Sequence, residues 1–198
     1  MIGREEQRFL EALAGSGLEA GARERLGVFF GLLRRFERVT NLRGPGAGER
    51  AGVHTLDALV GLPFLGEVRC LVDIGSGNGF PAIPLLVVRE GLRGVLLEPR
   101  ERRWAFLCEV VREVGVDAEV RRERWQAHEG GPYEALTCRG VAAREWVGAA
   151  AQLVRRGGLM LWWSGEGGVN VEPGERVLPS PVSTPGGGLL HIWRRCFT

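Results

Sequence analysis

The sequence predicts an α/β fold with a doubly wound, mostly parallel sheet, preceded by helices at the amino terminus. After Leu65, short apolar runs typical of buried strands alternate with segments of helical periodicity. A glycine-rich turn follows the first of these runs and leads directly into a helical segment. Before Leu65, apolar side chains recur at the three- and four-residue spacing of an amphipathic helix.

The amino-terminal part is predicted to consist of helices. The longest runs from Ala22 to Thr40, and five apolar side chains share one of its faces: Leu26, Phe29, Phe30, Leu33 and Phe36. Glycine and proline between Gly44 and Gly48 predict a loop, and Val53–Val60 a short helix. We therefore expect a helical extension over residues 1–64 and a second domain over residues 65–198.

The second part alternates strands and helices. The predicted strands are Cys70–Ile74, Gly94–Leu97, Glu119–Arg121, Leu136–Cys138 and Leu159–Trp163. The predicted helices are Ala82–Arg89, Arg100–Val114 and Arg144–Val154. A glycine- and proline-rich stretch then leads to a last predicted strand, Leu189–Arg195, which favours an antiparallel hairpin at the carboxyl-terminal edge of the sheet.

Composition excludes few functions. The formal net charge is only +2, and every basic residue other than histidine is arginine. Arginine doublets at 34–35, 102–103, 121–122, 155–156 and 194–195 are candidate phosphate contacts or simply solvated surface. Four dispersed cysteines without a C-x-x-C pair argue against a metal site. Charged first residues and the absence of a long apolar stretch predict a cytoplasmic protein without a membrane span.

The most informative segment is the glycine-rich turn. Its sequence is Asp73-Ile74-Gly75-Ser76-Gly77-Asn78-Gly79-Phe80-Pro81. Glycines let the backbone turn sharply and approach a ligand, and the helix that follows presents free N–H groups. Phe80 stands where a dinucleotide fingerprint has its third glycine, which disfavours a nicotinamide dehydrogenase.

The pattern D-x-G-x-G-x-G resembles the first motif of S-adenosylmethionine methyltransferases. Glu98 follows the next predicted strand, where an acidic residue holds the ribose hydroxyls in nucleotide-binding folds of this kind. The candidate cofactor residues from these two places are Asp73, Gly75, Gly77, Gly79, Phe80 and Glu98.

The run that continues through Phe80-Pro81-Ala82-Ile83-Pro84 closely resembles the first motif of the RsmG or GidB family. Further segments along the chain are similar to that family and occur in the same order as in it: Thr40–Leu42 and His54–Leu59 before this run, and Glu98–Leu107 and Thr137–Ala142 after it. The resemblance implies a Rossmann-like methyltransferase fold that transfers a methyl group to N7 of a guanine in 16S ribosomal RNA. It implies S-adenosyl-L-methionine as cofactor, and 16S ribosomal RNA or the small ribosomal subunit as partner, without a metal.

The resemblance also implies site residues. Beside Gly75 and Phe80, the cofactor would contact Trp125, Gln126 and Arg139. The chain departs from the family pattern in three places. An acidic residue is missing after the third strand, the family's F-D reads Tyr133-Glu134, and its K-G reads Ser164-Gly165.

N7 of guanine carries a lone pair and no proton, so attack on the sulfonium methyl needs alignment but no general base. The candidate catalytic residues are Arg139, at a predicted strand end, and His54 and Asp57, one helical turn apart. The alternatives are a surface ion pair for Arg139, and a local hydrogen bond or a solvated face for the other two. Cys138 is expected to be a buried thiol. A small-molecule methyltransferase, and a relative that binds cofactor or RNA without turnover, also remain open.

Overall fold

The structure is a computed structural model that describes residues 4–39, 50–165, 174–178 and 180–196. Its helices are α1 Arg4–Ala14, α2 Ala20–Val39, α3 Ala51–Leu59, α4 Leu62–Leu65, α5 Ala82–Val88, α6 Glu101–Val114 and α7 Ala143–Leu153, with a 3₁₀ helix at Trp125–Ala127. Its strands are β1 Cys70–Ile74, β2 Arg93–Leu97, β3 Ala118–Arg121, β4 Tyr133–Arg139, β5 Val154–Ser164, β6 Glu175–Arg176, β7 Val182–Ser183 and β8 Leu189–Arg194.

The strands form one sheet in the order β3-β2-β1-β4-β5-β8-β6, with β7 also paired to β8. Strands β1 to β5 run parallel to one another, whereas β8 runs antiparallel to β5, β6 and β7. The order reverses between β1 and β4, and ligands bind outside the carboxyl ends of the strands at such a switch point. The predicted doubly wound sheet with an antiparallel carboxyl-terminal edge is confirmed.

Most predicted boundaries agree with the structure to within a few residues, and Val154 is the clearest exception. It was expected to end a helix, but it begins β5 and pairs with Tyr133. Its amide still donates to the Ala150 carbonyl, so the helix ends and the strand begins on the same residue. The pairing of β4 with β5 then shifts register between Tyr133 and Ala135, which accommodates the glycine pair 157–158.

The amino-terminal helices share a hydrophobic core with the sheet layer. The stripe on α2 packs with α1, α5 and α6, and its ring contacts include Phe9 with Phe30 at 4.5 Å and Phe36 with Phe106 at 5.1 Å. Full burial of such side chains stabilises a fold by about 1.5–3 kcal/mol each. The division at residue 65 stays a prediction.

Two features predicted from sequence, the segment Thr40–Leu42 and the loop Gly44–Gly48, lie outside the described residues. Among the helices that the structure does describe, none combines the length and the apolar character needed to cross a membrane.

Candidate active site

The glycine turn after β1 needs glycine for two different reasons. Gly75, Gly77 and Gly79 have φ values of 65°, 53° and 87°, in the region that other residues rarely adopt. At Gly79, a β-carbon would also lie 2.7 Å from Cγ1 of Ile83. The amide of Gly75 donates to the Leu97 carbonyl over 2.9 Å, which fixes the turn against the end of β2.

Glu98 lies across this turn at the end of β2. Its carboxylate is buried and accepts two backbone hydrogen bonds, from the Gly77 amide to Oε2 at 3.0 Å and from the Arg100 amide to Oε1 at 2.8 Å. The predicted acidic residue is therefore held by the glycine turn itself.

A cleft of about 820 Å³ opens beside the turn. Five predicted cofactor residues line it: Gly75, Gly77, Phe80, Glu98 and Arg139. Two more predicted cofactor residues, Trp125 and Gln126, follow the third strand. They line an adjoining pocket of about 80 Å³ that shares Gly75 and Val141 with the cleft. We call the cleft and this pocket the glycine-turn cleft.

The remaining two predicted cofactor residues support the turn from behind. Gly79 faces Ile83 and Phe29, and Asp73 is fully buried at the end of β1. The hydroxyl of Thr137 donates to Asp73 Oδ1 over 2.7 Å, whereas Oδ2 has no hydrogen-bond partner among the described residues. Burial raises the pKa of Asp73 from 3.8 to about 7.

Asp73→Asn should make the stability of the protein less dependent on pH between mildly acidic and neutral conditions. The folded-state pKa of Asp73 lies above its ordinary value of 3.8, so at pH values between the two the folded protein holds a proton that the unfolded chain has lost. The free energy of unfolding therefore falls as pH rises towards 7. Asparagine resembles the protonated acid and does not titrate. Between about pH 5 and about pH 8, the wild type should lose ~2–3 kcal/mol of unfolding free energy relative to the variant. Urea denaturation at several pH values measures this difference, and a difference that does not vary with pH would contradict the prediction.

The three predicted catalytic residues come together on one side of the glycine turn. Nη2 of Arg139, at the end of β4, donates to Nδ1 of His54 over 2.8 Å and to Oδ2 of Asp57 over 3.2 Å. Since a guanidinium can only donate, Nδ1 accepts, and the ring hydrogen of His54 is on Nε2. Nδ1 of His54 lies 3.8 Å from Oδ2 of Asp57, too far for the local hydrogen bond considered as an alternative.

Asp57 also connects α3 to the carboxyl-terminal strands, which the sequence did not indicate. Its Oδ1 accepts the Gly186 amide over 2.7 Å, and its backbone carbonyl accepts the indole N–H of Trp163 over 2.7 Å. Burial alone would raise the pKa of Asp57, but the Gly186 amide, the charge of Arg139 and the hydroxyl of Thr184 together outweigh it, so the pKa is lowered. Asp57 is therefore an ionised carboxylate shared by Arg139 and the turn before β8.

A second cleft, of about 690 Å³, lies on the other side of Arg139. The turn before β8 forms one wall and the end of β5 another, through Trp162, Trp163 and Ser164. We call this the tryptophan cleft. It shares His54, Arg139 and residues 140–142 with the glycine-turn cleft, so a group bound in one lies next to a group bound in the other.

Several other predicted features can now be placed. Cys138 is fully buried and burial raises its thiol pKa well above the ordinary value, as expected for an inert thiol. Ser164, which stands where the family pattern has lysine, bonds to Nε2 of His191 over 3.0 Å. Arg103 of one doublet lines the glycine-turn cleft, whereas Arg155 and Arg194 line a groove at the opposite ends of the strands.

Solved structures share this fold. The 16S rRNA N2 methyltransferase RsmC of Thermus thermophilus, in complex with AdoMet and guanosine, superposes with a TM-score of 0.56 at 16% identity, covering 77% of this chain and 43% of that one. TehB from Haemophilus influenzae superposes with a TM-score of 0.53 at 12% identity, covering 70% and 61%. At these identities the likeness shows the Rossmann-like methyltransferase fold alone.

The sequence relatives are closer. Ribosomal RNA small subunit methyltransferase G of Stenotrophomonas maltophilia (strain K279a) is 33% identical over 199 residues, which cover 92% of this chain and 90% of that protein. The protein of the same name from Mycobacterium leprae (strain TN) is 36% identical over 166 residues, which cover 81% of this chain but 60% of its own length. The GidB family, rRNA small subunit methyltransferase G, matches residues 23–169. The chain therefore belongs to the rRNA small subunit methyltransferase G family.

Proposed function

We propose that the protein transfers the methyl group of S-adenosyl-L-methionine to N7 of a guanine in 16S ribosomal RNA, acting in the cytoplasm. The observation that carries this proposal is the meeting of two clefts at Arg139 and His54. One cleft holds the predicted cofactor residues, and the other offers space for an acceptor next to them. Family membership supplies the acceptor class.

The glycine-turn cleft fits the cofactor. Glu98 presents a buried carboxylate that can accept ribose hydroxyls, and Oδ1 of Asn78 is buried without a hydrogen-bond partner among the described residues. An acceptor of this kind suits the ammonium group of the methionine part. When bound, the cofactor supplies an electrophilic methyl group on its sulfonium sulfur.

The residues around the second cleft would align the base. Guanine presents O6 and N7 as acceptors on one edge, and His54 Nε2–H and the Arg139 guanidinium are donors. A donor on O6 leaves the N7 lone pair directed at the methyl group, and no residue has to remove a proton. Under the proposed division of the chain, the helical extension 1–64 contributes His54 and Asp57 to a site that residues 65–198 otherwise form.

RNA is favoured over a small molecule because both clefts are open and edged by arginines. Arg50 lies at the rim of the tryptophan cleft, and Arg100, Arg103 and Arg124 line the glycine-turn cleft. Guanidinium groups pair well with phosphates. A closed, apolar pocket would instead indicate a small substrate.

The test is methylation by the purified protein. Labelled S-adenosylmethionine is incubated with 16S RNA, or with 30S subunits that lack the modification, and the label is mapped by N7-specific strand scission. We expect label at one guanine, about 100-fold slower turnover for Arg139→Gln, and no change for Arg155→Gln at the opposite end of the strands. Tight cofactor binding without label would contradict the proposal and favour a small-molecule acceptor or a binding role.

A further inference from the structure

Glu123 lines the small pocket of Trp125 and Gln126, and it begins a continuous hydrogen-bonded chain of three side chains. Nδ1 of His128 lies 2.6 Å from Oε1 of Glu123, and its Nε2 lies 2.6 Å from the hydroxyl of Tyr133. The two rings are nearly parallel, with centroids 5.8 Å apart and an interplanar angle of 20°. His128 is only 8% exposed, so these bonds satisfy an otherwise buried imidazole.

One arrangement of protons satisfies all three groups. Burial raises the pKa of Tyr133, so the phenol keeps its hydrogen and can donate it to Nε2 of His128. Nδ1 then carries the ring hydrogen and donates it to the Glu123 carboxylate. Each member thus fixes the orientation of the next.

This chain of hydrogen bonds encloses the segment that carries two predicted cofactor residues, Trp125 and Gln126. Glu123 and His128 stand on either side of the 3₁₀ helix Trp125–Ala127, so the bond between them closes the base of that turn. Tyr133 begins β4 and therefore attaches the closed turn to the sheet. On the outer side, the Trp125 ring packs on α7 so closely that a β-carbon at Gly148 would lie 2.8 Å from it.

We propose that Glu123, His128 and Tyr133 form a clamp that holds Trp125 and Gln126 in place to contact the cofactor, which makes all three positioning residues. The inference rests on the proposed function, because it needs a cofactor in the glycine-turn cleft. The hydroxyl that completes the clamp belongs to Tyr133, at the position where the family pattern has phenylalanine.

The first measurement is the dissociation constant of S-adenosylmethionine by equilibrium dialysis, without RNA. Tyr133→Phe removes one oxygen and keeps the ring, and Glu123→Gln removes one charge. We expect each to raise the constant about tenfold. Tyr133→Phe leaves Nε2 of His128 without its donor, and Glu123→Gln replaces a charged hydrogen-bond acceptor of His128 with a weaker neutral one. The matched control is Glu119→Gln, the same chemical change on neighbouring β3, where the carboxylate pairs with the exposed side chains of Arg93 and Arg121. It should stay within about twofold of the wild type.

Two further readouts separate positioning from a general loss of structure. The Michaelis constant for RNA should not change in Tyr133→Phe, and combining it with His128→Ala should weaken cofactor binding no more than His128→Ala alone. The proposal would be overturned if Tyr133→Phe and Glu123→Gln kept dissociation constants within about twofold of the wild type. It would also be overturned if the loss of cofactor affinity in each variant were proportional to the fall in its melting temperature. If the wild type itself bound no cofactor, the proposed function would fail first, and that measurement would show it.

Discussion

Glu98→Gln should weaken the binding of S-adenosylmethionine by about 100-fold while the affinity for RNA stays the same. The carboxylate already accepts the amides of Gly77 and Arg100, and its remaining lone pairs are available to the ribose hydroxyls. Glutamine has one oxygen, so its NH₂ group would face a backbone donor. Hydrogen bonds to a charged acceptor contribute about 1.5–3 kcal/mol each, and the loss of one or two gives the stated factor. Calorimetric titration of each protein with the cofactor measures it.

The matched control is Glu101→Gln, three residues further along. The Glu101 side chain is 69% exposed at the start of α6, and its ion pair with Arg122 lies at the surface. Its affinity for the cofactor should stay within about twofold of the wild type. Binding by Glu98→Gln as tight as that of the control would mean that the ribose lies elsewhere.

Asp57→Ala should lower the free energy of unfolding by about 3 kcal/mol and abolish methylation. The substitution leaves the Arg139 charge without its carboxylate and the Gly186 amide without its acceptor. Breaking a buried ion pair costs about 3–5 kcal/mol, and we take the lower value because 27% of the Arg139 side chain is exposed. Urea denaturation gives the stability, and the strand-scission assay gives the activity.

An exposed ion pair provides the comparison. Glu109 pairs with Arg35 and Arg112 at the surface, so Glu109→Ala should lower the free energy of unfolding far less than Asp57→Ala does. The pKa of Asp57 is lowered in the folded state, so its contribution is present above its ordinary pKa and is lost as pH falls below it. Asp57→Asn and the wild type should therefore converge in acid. Equal losses for Asp57→Ala and Glu109→Ala would show that the shared carboxylate has no special role.

Local sequence patterns were sufficient for strands β1 to β4 and β8, the glycine turn and the position of Glu98. Each depends on residues that are close in sequence: an apolar run, three glycines at alternate positions, or the end of the next strand. Resemblance to the family identified the three catalytic candidates, Arg139, His54 and Asp57. Local patterns could not relate them to one another, because 82 residues separate Asp57 from Arg139. The structure then showed that the trio meets through the guanidinium of Arg139.

Other parts of the site had no sequence signal. The bond between Asp57 and Gly186 joins residues 129 apart, and nothing in the Gly186–Gly188 run indicates which carboxylate its amides face. No sequence pattern singles out the clamp residue His128. The shift of β5 was also hidden, because helical periodicity continues up to Val154 and only pairing with β4 makes that residue part of a strand.

The position of β8 in the sheet has a consequence for how the protein is made on the ribosome. Until β8 has been synthesised, β5 is an edge strand that exposes unpaired backbone groups next to Trp162 and Trp163. The glycine turn follows β1, and Glu98 follows β2. These two strands pair with each other and with β3 and β4, which are all made before β5. A growing chain can thus complete the glycine-turn cleft early, but the tryptophan cleft is complete only after residues 184–194 have been made. During that interval the unpaired edge of β5 can pair with other chains, which favours aggregation.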